Sequence, residues 1–94
     1  YHILFNNGVH DSVGGQPTVG YKVDLPEVAA ACGYKTVLSV DNAEDLSDVL
    51  ADLTDNDAPL FLEIKVKKGA RADLGRPTTT PVENKEALMD FLKR

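Results

Sequence analysis

The residues with the greatest capacity for polar chemistry lie in one stretch, residues 5–15, FNNGVHDSVGG. It holds two asparagines, a histidine, an aspartate and three glycines directly after a short apolar run. A plain turn needs only one or two such residues. Asn7 offers a side-chain carbonyl, and the glycine-rich backbone around it offers carbonyls and N–H groups with little steric cover. Hard oxygen donors of this kind suit Mg²⁺, which takes a few protein ligands and fills its octahedron with water and phosphate oxygens. Glycine turns can also aim successive N–H groups at an anion. A structural reading competes with this one, because Asn-Gly is a common turn dipeptide and Gly14 and Gly15 permit positive φ. His10 is a candidate for proton transfer or substrate contact, the imidazole being a side chain suited to acid–base work. Asp11 is a weaker candidate for the same roles, and with Ser12 it also suits local turn hydrogen bonds.

These residues must be positioned by the elements around them. Residues 1–5, YHILF, form a nearly continuous apolar run, the pattern of a strand covered on both faces in a parallel sheet. Residues 8–20 contain Gly8, Gly14, Gly15, Gly20 and Pro17 and predict a long irregular loop, a kind of segment that is often functional. Asp24 with Glu27 three residues later predicts the start of a helix over 25–32, which carries Leu25, Val28, Ala29 and Cys32 on one face and stops at Gly33. Cys32 is expected in the core. KTVLSV at 35–40 predicts a second strand, and DNAED after it supplies a helix cap and acidic first-turn residues. In the helix that follows, Leu46, Val49, Leu50 and Leu53 repeat at helical spacing. Leu60, Leu62, Ile64 and Val66 alternate with Phe61, Glu63 and Lys65, which predicts a half-exposed third strand near a sheet edge guarded by Lys67 and Lys68. TPVE at 80–83 opens a last helix with a capping box and Pro81 in its first turn, and Leu88, Phe91 and Leu92 are expected to form its buried stripe.

Strand, loop, helix, strand, helix, strand, helix is the order of an α/β unit with a parallel sheet flanked by helices. Ligands in such sheets sit at the carboxyl ends of the strands, where the asparagines fall. With 94 residues, 43% of them hydrophobic, the chain can bury one modest core, so 1–94 is expected to be a single domain or part of one. The chain opens directly on YHILF and its only methionine is Met89, which suggests a truncated piece of a longer protein with apolar surface left uncovered.

A net charge of -5 and the absence of Trp argue against nucleic acid as a partner. One cysteine excludes a disulfide framework or a cysteine-based metal cluster and fits a reducing, cytoplasmic setting. No apolar run approaches the length of a membrane span. The acidic clusters DNAED and TDND lack the spacing of an EF-hand and suit caps and solvated turns. An anionic substrate would need cations, and Lys22 lies nearest the loop, with Arg71 and Arg76 available only if their distal segment folds over it.

FNNGVHDSVGGQPTV, taken with ADLGRPTTTPVENKEALMDFL at 72–92, resembles the carboxyl-terminal part of the phosphonopyruvate decarboxylases, thiamine-diphosphate-dependent enzymes with the sulfopyruvate decarboxylases as close relatives. The resemblance runs over essentially the whole chain and implies a partial thiamine-diphosphate-binding fold, a truncated three-layer α/β/α arrangement. The cofactor motif of these enzymes opens with GDG and closes with NN. By the resemblance Asn7, the second asparagine, binds the Mg²⁺ that holds the diphosphate, the Val9 carbonyl is a further metal ligand, and Asn6 secures the turn. Gly8, Gly14 and Gly15 are expected to border the diphosphate, with Gln16 and Thr18 nearby. GDG does not occur in this sequence and is expected upstream of Tyr1, so the chain carries half a metal site. The implied activity is decarboxylation of a 2-oxo acid, phosphonopyruvate to phosphonoacetaldehyde and CO₂, in a homo-oligomer whose active site lies at a subunit interface. The fragment alone is expected to be inactive. Sulfopyruvate decarboxylation is the rival enzymatic reading, and a non-catalytic α/β ligand-binding or assembly module is the rival of another class.

Overall fold

A computed structural model of the chain describes all of residues 1–94. In chain order the elements are β1 (His2–Asn6), the two-residue strands β2 (Val9–His10) and β3 (Gln16–Pro17), α1 (Leu25–Ala31), β4 (Thr36–Val40), α2 (Ala43–Ala51), β5 (Leu60–Lys65) and α3 (Pro81–Leu92). β1, β5 and β4 form a parallel sheet in that order, with Leu4 and Ser39 both in register with Glu63. The parallel α/β architecture expected from the element order is therefore present.

Alternation along β5 divides the sheet into two faces. Leu60, Leu62 and Ile64 join Val40 in a buried cluster, against which Leu46 and Val49 of α2 pack together with Leu38, Leu53 and Val66. Leu60 and Leu62 are fully buried, and each such side chain contributes about 1.5–3 kcal/mol of transfer free energy. The other face carries Phe61 and Glu63 and is approached by α1, whose Ala29 is buried. Near the start of β1, His2 donates to or accepts from the Tyr34 hydroxyl at 3.1 Å and meets the Phe61 ring edge-on at 5.0 Å, so this histidine has a packing role.

The helix starts follow from their caps. Asp24 accepts from the Glu27 amide at 3.0 Å, and Asn42 accepts from the Asp45 amide at 2.9 Å. Thr80 and Glu83 form the complete capping box: the Thr80 hydroxyl accepts from the Glu83 amide, and the Glu83 carboxylate accepts from the Thr80 amide at 2.7 Å. Those backbone and hydroxyl hydrogen bonds from Thr80 hold the Glu83 carboxyl below its ordinary pKa.

Several expectations are corrected. β5 is the central strand of the sheet and is buried from Leu60 to Ile64, not a half-exposed strand at an edge. Its alternation marks two different covered faces, one apolar and one with a satisfied carboxylate. β1 is an edge strand in this sheet, with Ile3 and Phe5 exposed on the face that α2 covers elsewhere. α3 has no buried residue, and Leu88, Phe91 and Leu92 are exposed. Cys32, at the end of α1, is exposed as well. The glycine loop is more regular than expected, since β2, a 3₁₀ turn at Asp11–Val13 and β3 make a small hairpin. No helix is long and apolar enough to cross a membrane.

Candidate functional site at the carboxyl end of the sheet

β1 ends on two asparagines whose side chains do different work. Asn6 is buried, and both ends of its amide are bonded: Nδ2 donates to Glu63 Oε1 at 2.7 Å and to the Gly20 carbonyl at 2.6 Å, while Oδ1 accepts from the Gly8 amide at 3.0 Å. These bonds tie Asn6 into the turn, and its burial keeps it from solvent. Asn7 is only half-buried. Its Oδ1 accepts from the Val9 amide at 3.1 Å, and its Nδ2 donates to Asp11 Oδ2 at 3.0 Å. An amide oxygen has two lone pairs, so Asn7 Oδ1 keeps one acceptor site beyond this bond.

Two successive asparagine turns of this kind require an unusual backbone between them, and Gly8 supplies it at φ +70°. A Cβ on Gly8 would also stand 2.5 Å from the ring of Tyr21. Tyr21 is held over the turn by its hydroxyl, which lies 3.1 Å from the Asn6 carbonyl and 3.0 Å from that of Val66. Sequence reading missed Tyr21, because nothing local to it signals a contact with residues 15 and 45 positions away.

The hairpin sets the direction of the Val9 carbonyl. The Thr18 amide donates to the Gly8 carbonyl at 2.9 Å, which makes the next pair, Val9 with Pro17, a non-hydrogen-bonded one. Pro17 has no N–H and is tolerated there for that reason. The Val9 carbonyl consequently points away from β3.

Asn7, Gly8 and Val9 line a single cavity of about 530 Å³ with Tyr21, Val66, Lys67 and Lys68. The two lysines, expected only to guard a sheet edge, bring two cationic side chains to the wall beside the asparagine turn. Asp11 braces this wall from outside: its Oδ2 accepts from the Gly69 amide at 2.7 Å as well as from Asn7. The other expected residues are not brought into this cavity. His10 is exposed, with Nδ1 3.4 Å from Ser12 Oγ. Gly14 and Gly15, at φ +116° and +72°, close the hairpin, where the Gly15 amide donates to the His10 carbonyl at 3.0 Å. Lys22 lines a second, polar cleft of about 590 Å³ with Asp24, Glu27, Ser39, Glu63 and Lys65. Arg71 makes a solvent-exposed ion pair with Asp73 at 3.3 Å.

No group of three or more His, Cys, Asp or Glu side chains is placed to hold a metal. What the turn offers is two residues that carry neutral hard oxygens, Asn7 in its side-chain amide and Val9 in its backbone carbonyl, lining one cavity with two lysines. That donor set fits Mg²⁺ bound mainly through a phosphorylated cofactor.

Comparison with known proteins identifies the family. Residues 1–64 match the family described as thiamine pyrophosphate enzyme, C-terminal TPP binding domain. A phosphonopyruvate decarboxylase of Streptomyces viridochromogenes is 48% identical over 82 residues, covering 87% of this chain and 21% of the relative. A second phosphonopyruvate decarboxylase, from Streptomyces hygroscopicus, is 42% identical over 90 residues, covering 96% of this chain and 22% of the relative. The chain thus spans about a fifth of the length of these curated relatives. No solved structure matches it. With the family matched across the whole sheet up to Ile64, the turn at Asn7 has a family context: the chain belongs to the thiamine pyrophosphate enzymes, as their C-terminal cofactor-binding domain.

Proposed function

We propose that this chain is the diphosphate- and metal-binding part of a thiamine-diphosphate-dependent decarboxylase that converts phosphonopyruvate to phosphonoacetaldehyde and CO₂. The observation that carries the reading is the Asn7–Gly8–Val9 turn, whose three residues line one cavity at the carboxyl end of a parallel sheet and include two with hard oxygen donors. The names of the two relatives support the choice of substrate.

In this reading Asn7 Oδ1 and the Val9 carbonyl would hold Mg²⁺, which would supply the positive charge that anchors the diphosphate. Gly8 keeps the turn tight enough for both oxygens to serve. Lys67 and Lys68 add positive charge for an anionic group, either the diphosphate or the substrate phosphonate. The cofactor, when bound, supplies the electron sink for loss of CO₂ from a 2-oxo acid. The remaining metal ligand and the residues that activate the cofactor belong to the rest of the enzyme, and the native assembly is a cytoplasmic homo-oligomer with the site at a subunit interface. Alone, the 94-residue chain is inactive.

The test uses the intact protein with thiamine diphosphate and Mg²⁺. CO₂ release from phosphonopyruvate, in preference to sulfopyruvate, is the expected result. Asn7→Ala is expected to weaken Mg²⁺-dependent cofactor binding at least tenfold, about 1.4 kcal/mol, and to abolish turnover at limiting cofactor. Turnover by the isolated chain, or an Asn7→Ala protein with unchanged cofactor affinity, would refute the reading.

A further inference from the structure

Glu63 is a carboxylate in the middle of the central strand, 2% exposed, and the metal and diphosphate reading does not use it. Its two oxygens are divided between neighbouring strands. Oε1 accepts from Asn6 Nδ2 on β1 at 2.7 Å, and Oε2 accepts from the Ser39 hydroxyl on β4 at 2.7 Å. Every buried side-chain polar atom in the molecule has a partner, so this network is complete. Burying a carboxylate costs several kcal/mol unless it is paired or well hydrogen-bonded, and an apolar residue here would serve packing as well or better. A buried carboxylate at this point therefore has a purpose other than filling the sheet.

Asn6 shows what that purpose is. An amide can be turned over, exchanging its donor and acceptor ends, and the partners outside it fix which end faces which way. Glu63 is the one side chain among those partners, and it can only accept when ionised. With Nδ2 drawn toward Glu63 and the Gly20 carbonyl, Oδ1 is turned to the Gly8 amide, and Gly8 lies between Asn7 and Val9, which line the cavity with it. We propose that Glu63 is a positioning residue for cofactor binding: through Asn6 it sets the orientation of the Asn7–Val9 turn, with Ser39 as its second anchor. The proposal rests on the thiamine-diphosphate reading of the turn.

The test compares Glu63→Leu and Glu63→Gln in the intact protein. Leucine fills the space and removes both acceptors. Glutamine keeps a carbonyl for Asn6, and its amide donates to Ser39, whose hydroxyl rotates to accept. Two quantities are read: Mg²⁺-dependent affinity for thiamine diphosphate, and cofactor-free hydrogen exchange in peptides covering 6–10 and 60–64. Expected for Glu63→Leu is at least a tenfold loss of affinity and at least tenfold faster exchange over 6–10, with exchange over 60–64 unchanged. Glu63→Gln restores both. Affinity and exchange over 6–10 that remain at wild-type values in Glu63→Leu would overturn the proposal. So would faster exchange over 60–64 matching that over 6–10, which would mark Glu63 as a general stabiliser of the sheet. If the wild-type protein binds no thiamine diphosphate, the functional reading fails, while the exchange measurement still decides whether Glu63 orders the turn.

Discussion

The carboxyl end of the sheet and helix α3 are ordered by opposite means. At the sheet, Asn6, Glu63 and Ser39 come from three strands and are joined by hydrogen bonds that span 57 and 24 positions of sequence. α3 is ordered by itself: Thr80, Pro81 and Glu83 fix its start, and none of its side chains is buried. The family match follows the same division, ending at Ile64 before the helix begins. Long-range polar contacts thus concentrate where the metal and diphosphate are expected, while the helix is a local structure whose apolar face carries no comparable chemistry.

The contrast can be broken most forcefully in the core. Leu62→Ala, at a fully buried position of β5, is expected to cost about 2–5 kcal/mol, read as a lower urea midpoint. Leu88→Ala on α3 is expected within about 0.5 kcal/mol of wild type in the same measurement. Equal losses at the two sites would mean that α3 packs against the sheet in solution. Gly8→Ala comes next, because it meets both a positive φ and the Tyr21 ring. A loss of about 1–3 kcal/mol is expected by thermal melting, together with weaker cofactor binding. Tyr21→Ala in the same chain should recover the steric part and leave the backbone part.

Thr80→Ala sharpens the other side. It removes the hydroxyl that caps α3 and should cost about 1 kcal/mol of helix stability, seen as reduced far-ultraviolet helicity with the sheet's urea midpoint unmoved. The smallest effect is in pH. Because Thr80 holds the Glu83 pKa below its ordinary value, the contribution of Glu83 is present above that ordinary value and is lost as pH falls through the lowered one. Helicity of α3 should therefore decline in that acid window, and Glu83→Gln should remove the decline.

The legible parts of the fold were those carried by neighbours in sequence. The caps at Asp24 and Thr80, the helix start within DNAED and the extent of α1 rest on contacts within a few residues, whereas Leu53, expected in α2, falls in a 3₁₀ turn after that helix ends at Ala51. Asn7 and Val9 stand out in the sequence through a motif resemblance rather than through any periodicity, and the structure places both in the lining of one cavity. The misplacement of β5 has a specific cause: Glu63 and Lys65 on alternate positions look like a wetted face when their partners are unknown. Once Asn6 and Ser39 satisfy Glu63, the same alternation belongs to a central strand. Tyr21, Lys67 and Lys68 were invisible as site residues because their place beside Asn7 depends on how two distant loops meet. The apolar stripe of α3 is a pattern in the sequence, but a pattern does not name the surface that would cover it, and the stripe is exposed.

The placement of Glu63 also bears on strand register. Side chains along β5 alternate between a face packed by Leu46 and Val49 and a face holding Asn6 and Ser39. Sliding β5 by one residue against its neighbours would exchange the two sets and drive the carboxylate into the aliphatic layer, where no donor waits for it. An all-apolar strand such as LFLLI would tolerate that slip far better. One ionisable side chain thus excludes the shifted pairing and leaves the sheet a single way to assemble, the one in which β1 delivers Asn7 at the right height.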